Sequence, residues 1–343
     1  MKKNFMVIML ASIITCFILV TGCIDPYVLR TEPENQQLVI DGYISNQPGV
    51  YVVSLTRTVA YEKSPSWRNP PAESPKVSGA LVTLFDENGN KEVFYEEKPG
   101  RYLTRGIMQG QTGKRYFIEI QLGERRYRSL PEMIKPVPRI DSMYSGFQEA
   151  VGNNPEGFYV YVDFKDDEAK GDAYLWRWNG FQSYETRPEP GVICGSCKYN
   201  CYAPVSSGNK SFLFNDLYTN GNFLKRKQVA IIPFYSSSPF LFQGSLFSIN
   251  EAAFKFWKLV YDQSQNSGSI FDKPPAQIRG NIFNVNDANE LVLGYFGAYG
   301  ISNKKIKVFR SNTGRLPTSF FPKAFGDCRP VYPGAVADFP EGW

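Results

Sequence analysis

One run of this chain has residue types and spacing that suggest chemistry: CGSCKYNC places Cys194, Cys197 and Cys201 within eight residues. Thiolates so spaced ligate zinc or an iron–sulfur cluster, run thiol exchange, or oxidise to disulfides. The choice depends on the compartment in which the chain folds. That is read from its first residues.

The chain opens MKKNFMVIMLASIITCFILVTGCIDPY, with Lys2 and Lys3 ahead of an apolar run from Phe5 to Val20. A short positive segment and a short apolar segment make an export signal, and a spanning helix would need about 20 apolar residues with polar flanks. The run stops at VTGC, a bulky residue, two small ones and Cys23, which resembles the bacterial lipobox. Thr15 makes Cys16 a poor competitor. The expected mature chain begins at Cys23 and is held to a membrane by acyl chains, each buried CH₂ contributing ~0.8 kcal/mol.

Removing residues 1–22 takes away two lysines and no carboxylate, so the formal charge falls from +5 to +3. Without a basic run, nucleic-acid binding has no electrostatic footprint. Histidine is absent, which excludes Ser-His-Asp and Cys-His nucleophiles and every His-containing metal site. Carboxylate chemistry survives that exclusion; an enzyme is nonetheless the weaker reading.

With 21 Tyr, 26 Phe, 29 Gly and 24 Pro, the composition points to β-sheet with many turns. The expected fold is mainly β: an Ig-like or transthyretin-like sandwich, then a second β-rich domain with one packed α-helix. The boundaries read as signal peptide 1–22, tether 23–37, sandwich 38–135 and β-rich region 136–343.

Within the sandwich, Val82 and Leu84, then Val93 and Tyr95, alternate around the Asn88-Gly89 hairpin turn. The layout Gly79 to Leu84, Gly100 to Tyr102 and Gly113 to Tyr116 resembles transthyretin-like and carboxypeptidase-regulatory modules, which are scaffolds. KPVPRIDSMY (Lys135 to Tyr144) reads as a connector. Beyond it, Tyr174, Trp176 and Trp178 share one strand face, read as core in preference to a sugar-stacking surface. A helix is expected near 248–266. Ser248 and Glu251 form its capping box, Ala253, Trp257, Val260 and Tyr261 its docking stripe, and Gly268 its end. NVNDANE (Asn284 to Glu290) lacks the order of a calcium loop and reads as a turn.

After Cys23 is lipidated, Cys194, Cys197, Cys201 and Cys328 remain, an even number in an exported chain. Structural disulfides are favoured; a Cys₄ zinc site and thiol exchange are the rivals. Four cysteines allow three pairings, and the expectation is one local bond and one tying Cys328 to the cluster.

The lipobox Cys, LVIDGYISNQPGVYVVSLTRT, the Cys cluster, RGNIFNVNDANELVLGYFGAYG and the late DCRP together resemble a Bacteroidota outer-membrane lipoprotein family. That family is catalogued as uncharacterised domain number 4249 (DUF4249). The resemblance covers nearly all of the mature chain, and its most specific element is Gly280 to Phe296. It implies a surface partner of TonB-dependent-receptor-like (SusC-like) barrels, in the position that SusD-like proteins occupy, with no catalytic residues to carry over. The expected function is therefore a non-enzymatic accessory or capping partner of such a barrel, lipid-anchored at the outer-membrane surface, with no cofactor or metal. Surface lipoproteins of this phylum often carry an acidic run after the lipid Cys, whereas this chain offers Asp25, then Glu32 and Glu34. The alternatives are a structural subunit of a larger outer-membrane assembly or export complex, and a carboxylate-based hydrolase drawing on the Asp163–Asp172 run.

Non-reducing peptide mapping of the protein from the envelope should find these four cysteines oxidised. Four free thiols would overturn the disulfide reading.

Overall fold

Alternating aliphatic and aromatic residues, punctuated by Gly, Pro and Asn, fold into strands because each pleated face buries every second side chain. The structure, a computed structural model, describes residues 36–59, 73–152, 154–168, 172–186, 191, 200–207, 212–215, 221–265, 277–317 and 326–343. The expected signal peptide, Cys23, most of the tether, Cys194, Cys197 and Gly268 lie outside these residues.

The first part of the chain supplies β1 (Leu38–Ser45), β2 (Val52–Arg57), β3 (Leu81–Asp86), β4 (Lys91–Val93), β5 (Tyr95–Lys98), β6 (Arg101–Leu103), β7 (Arg115–Leu122), β8 (Arg125–Ser129) and β9 (Glu132–Met133). The second supplies β10 (Ile140–Gln148), β11 (Gly157–Lys165), β12 (Ala173–Glu185), β13 (Asn200–Ser206), β14 (Phe212–Asn215), β15 (Phe223–Pro233), β16 (Phe240–Ile249), α1 (Glu251–Ser264), β17 (Ile282–Asn284) and β18 (Leu293–Val308). The fold is mainly β with one α-helix among the described residues.

A nine-stranded sheet runs β13-β12-β16-β18-β1-β2-β6-β5, with β14 also on β12. A six-stranded sheet runs β17-β8-β7-β3-β4 with β9 on β7, and a three-stranded sheet runs β10-β11-β15. The first core joins Ile40, Ile44, Val53 and Leu55 to Val82, Leu84, Ile118 and Ile120. Each fully buried aliphatic side chain there contributes about 1.5–3 kcal/mol. A second core packs Val160, Val162 and Phe164 against Trp176, Phe242 and Leu246. A third seats α1 on the opposite face of β12, β16 and β18 through Ala253, Phe256 and Tyr299.

β18 holds this arrangement together. Its residues Leu293 to Tyr299 pair in parallel with β1, whereas Gly300 to Val308 pair antiparallel with β16. One strand thus serves two neighbours over separate stretches. β17 meanwhile pairs with β8, and Ile282, Val292 and Phe296 enter the first core. The segments 38–135 and 136–343 therefore share both a sheet and a core.

The GNIFNVNDANELVLGYF element explains itself at this seam. Gly294 has φ +93°, and a Cβ there would stand 1.9 Å from the Ile40 carbonyl oxygen. A Cβ on Gly280 would meet the Gly294 oxygen at 1.6 Å, so the two backbones touch. Asn281 donates from Nδ2 to the Phe296 carbonyl (2.8 Å) and accepts from the Phe296 N–H (3.0 Å). It satisfies both groups on a stretch of β18 that β16 does not reach.

Four local readings change. Val93 and Tyr95 are exposed, while Glu92 and Phe94 are buried. The hairpin register sets Glu92 opposite Leu84 and Val93 opposite Thr83, and Glu92 turns inward to accept the N–H groups of Arg105, Ile107 and Met108. The cap of α1 is Asn250, which accepts from the Ala253 N–H at 2.7 Å. Ser248 is instead a buried residue of β16. The docking face of α1 centres on Ala253 and Phe256, with Phe254, Trp257 and Val260 at its margins, and leaves Tyr261 exposed. The region read as a connector is strand from Ile140 onward.

Gly294→Ala should cost on the order of 3 kcal/mol or more, as a strained backbone meeting a carbonyl requires. Asn281→Ala, which strips two buried backbone groups of their partner, should cost roughly 2–4 kcal/mol. Denaturant unfolding of both variants measures these losses, and midpoints equal to wild type would refute the seam.

Candidate functional site

On β12 the run LWRWN sends Trp176 and Trp178 to the second core and Arg177 and Asn179 to the other face. Cross-strand register then builds rows on that face. Arg177 lies opposite Ser245, which lies opposite Asn303; Asn179 lies opposite Gln243. Phe247 and Ile301 make the next row toward α1. Together with the loop from Gln47 to Tyr51 and with Ser206 and Ser207, they line a cleft of about 420 Å³. The helix covers one end of the sheet face, and the cleft is the uncovered remainder.

Its loop wall is fixed in place. Asn46 Oδ1 accepts from the Ile301 N–H (2.7 Å), and Gln47 Nε2 donates to the Ile301 carbonyl (2.8 Å). The buried Tyr51 hydroxyl is within 2.7 Å of both the Ser45 and Gln47 carbonyls. A wall pinned at both ends enters binding with little ordering entropy left to lose.

Arg177 is the cationic group of the cleft. Its guanidinium lies 4.7 Å from the Trp257 ring and 5.7 Å from the Phe247 ring. Trp257 is steadied by donating from Nε1 to the Tyr299 hydroxyl at 3.2 Å. Among the described residues, no carboxylate forms an ion pair with Arg177. Asp41 feels its charge: crowding by protein raises the Asp41 pKa and Arg177 opposes the rise. Because the Asp41 side chain remains exposed by area, water tempers that rise. Ser245 donates to Asn303 Oδ1 at 2.7 Å, which leaves the Asn303 amide N–H groups directed elsewhere.

Beside the cleft-bearing sheet lies a buried polar junction. Glu132 of β9 accepts from the Tyr295 hydroxyl (2.6 Å), from Asn281 Nδ2 (3.2 Å) and from Asn250 Nδ2. It ties the first sandwich to the cap of α1 and to β18. Burial pushes the Glu132 pKa up, against those hydrogen bonds and the pull of Arg115. A second buried group, Arg310, holds the Ser238 carbonyl through Nε (2.8 Å) and also donates to Gln182. Burial lowers its pKa to about 10, with Tyr184 opposing.

Of the cysteines singled out from sequence, Cys201 and Cys328 are joined in a disulfide with a Cα–Cα distance of 6.1 Å. Sulfurs joined in this way are not available as zinc thiolates. Closing a loop of 127 residues contributes about 4–5 kcal/mol in the chain-entropy model. The bond is buried beside the stacked Tyr184 and Tyr332 rings, 4.6 Å apart. Cys194, Cys197 and Cys23 lie outside the described residues.

The carboxylates of the Asp163–Asp172 run have separate partners. Asp163 accepts from Ser142 and from the Arg226 N–H (2.7 Å), which lower its pKa. Asp166 accepts from the Tyr174 hydroxyl (2.6 Å), and Asp172 pairs with Lys135 (3.0 Å). Tyr174 and Trp176 are core, and Trp178 stacks on Phe242 at 5.4 Å. Asn284 accepts from the N–H groups of Asn286 and Asp287, and Glu290 accepts from the Tyr127 hydroxyl. The NVNDANE segment is accordingly a turn stapled to β8. The cleft itself went unread in sequence. Its available signal was the alternation of Arg177 and Asn179 with buried tryptophans.

The fold and the cleft define a class: a multi-sheet β protein with one docked helix among the described residues, whose cleft sets amides, serines and one arginine among aromatic and aliphatic side chains. The chain belongs to the family described as Domain of unknown function (DUF4249), whose sequence pattern matches residues 24–305. No curated protein matches it.

Because the folded pKa of Glu132 lies above its ordinary 4.5, its contribution to stability is complete below that value. It is lost as pH rises through the folded value. Glu132→Gln should flatten this decline as pH rises above 4.5 in denaturant titrations. Identical pH slopes for variant and wild type would remove Glu132 as its source.

Proposed function

We propose that this protein is a lipid-anchored outer-membrane lipoprotein, exposed at the cell surface. In this reading it acts as a non-enzymatic accessory partner of a TonB-dependent-receptor-like barrel and contributes a binding surface to nutrient capture. The observation that carries the binding role is the cleft. Its lining of Arg177, Asn179, Gln243, Ser245 and Asn303 holds a ligand through hydrogen bonds and charge. Amides and hydroxyls are neutral donors and acceptors, so this lining suits retention better than proton transfer.

The anchoring role draws support from VTGC ending at Cys23 and from the short stretch that separates Cys23 from the first strand at Leu38. Such a stretch keeps the folded part close to the bilayer surface. The barrel as partner is taken from the family resemblance.

Affinity purification of the tagged, lipidated protein in mild detergent, followed by mass spectrometry, should recover an outer-membrane barrel. Recovery of the bait alone would refute the partnership. Loss of the barrel with Cys23→Ser would assign the encounter to the anchored form.

A further inference from the structure

From the arrangement of donors in the cleft we infer that its ligand is a small monocarboxylate bearing several hydroxyl groups, the chemistry of a sugar acid. The inference rests on the cleft being a binding site. It does not require the barrel.

The charge comes first. Arg177 carries the guanidinium that lines the cleft, and the Phe247 and Trp257 rings bracket it. No described carboxylate forms an ion pair with it, and Asp41, which feels its charge, is pushed toward its protonated form by the protein around it. A planar guanidinium matches a carboxylate through two parallel hydrogen bonds. One arginine balances one negative charge. A phosphate would bring up to two, and the nearest further cation of β18, Lys305, is already paired with Glu341 at 3.8 Å. A monocarboxylate is therefore the better match.

The remaining groups decide the rest of the ligand. Asn303 stands two strands from Arg177 in the same row, roughly 10 Å away at ~4.8 Å per strand. Asn179 and Gln243 form the adjacent row. Neither amide has a partner among the described residues. Asparagine is disfavoured in strand interiors, so Asn179 on a central strand costs stability with no local return, and Asn303 uses only its oxygen, toward Ser245. Amides offer both a donor and an acceptor, as does a hydroxyl, so a row of them fits a polyol rather than an aliphatic acid. Pro48 and Val50 on the loop wall supply an apolar strip for the C–H face of a ring. At about 420 Å³ the cleft falls in the range of small-molecule sites, about 300–1,000 Å³.

Isothermal titration of the full lipidated chain in detergent micelles with D-glucuronate, D-glucose and acetate separates the two halves of the inference. Glucuronate should bind, and glucose and acetate should each bind at least about tenfold more weakly, because each lacks one set of contacts. Arg177→Gln should weaken glucuronate by about tenfold or more and leave glucose unchanged. Asn303→Asp keeps the acceptor for Ser245 and adds a repelling charge. It should also abolish glucuronate binding without shifting the unfolding midpoint, and it decides the matter if Arg177→Gln fails to fold. Equal binding of glucose and glucuronate, full binding by either folded variant, or no heat with millimolar glucuronate would each overturn the assignment. A chain that recovers the barrel yet shows no glucuronate binding loses this inference alone.

Discussion

A β-strand has two edges, and β18 uses both over different stretches: the first seven residues against β1, the last nine against β16. Everything else follows from that division. At Gly294 the backbone of β18 comes closer to Ile40 of β1 than a Cβ would allow, and Gly280 in turn lies as close to Gly294. On the stretch of β18 that β16 does not reach, the Phe296 N–H and carbonyl would go unpaired, and Asn281 answers both with one side chain. Glu132 then fastens the same seam to the cap of α1 through Asn250 and to Tyr295 on β18 itself.

The cleft is a by-product of this geometry with chemical content of its own. Because β16 and β18 are central strands, their alternate residues must face two ways. One face is buried by the three-stranded sheet, and α1 covers only part of the other. The uncovered part is polar: arginine, asparagine, glutamine and serine stand where a sheet with a second covering layer would carry aliphatic residues. The loop after β1 reaches back to Ile301 and closes one side, so the seam that joins the two ends of the chain also shapes the wall of the cleft.

How much of this was legible depends on sequence distance. The Asn88-Gly89 turn, the β7–β8 hairpin and the β11 and β12 strands are visible because alternation and turn residues sit side by side in the chain. Alternation misled at Val93 and Tyr95, because the hairpin register sets Val93 opposite Thr83 and Glu92 opposite Leu84. It also cannot say that Val39 will lie beside Leu293, since partners about 250 residues apart leave no local trace. The cleft was unreadable for the same reason. Arg177, Ser245 and Asn303 are unremarkable residues until register sets them in one row.

The placement of β1 has a mechanical consequence. Residues that precede Leu38 enter the sheet at one end of this strand, and the loop that walls the cleft leaves from the other. A pull between the two would run along the strand axis. The covalent backbone of β1 would carry it, with the hydrogen bonds to β2 and β18 holding that strand already extended. The leading segment and the wall of the cleft are thus joined with little slack between them.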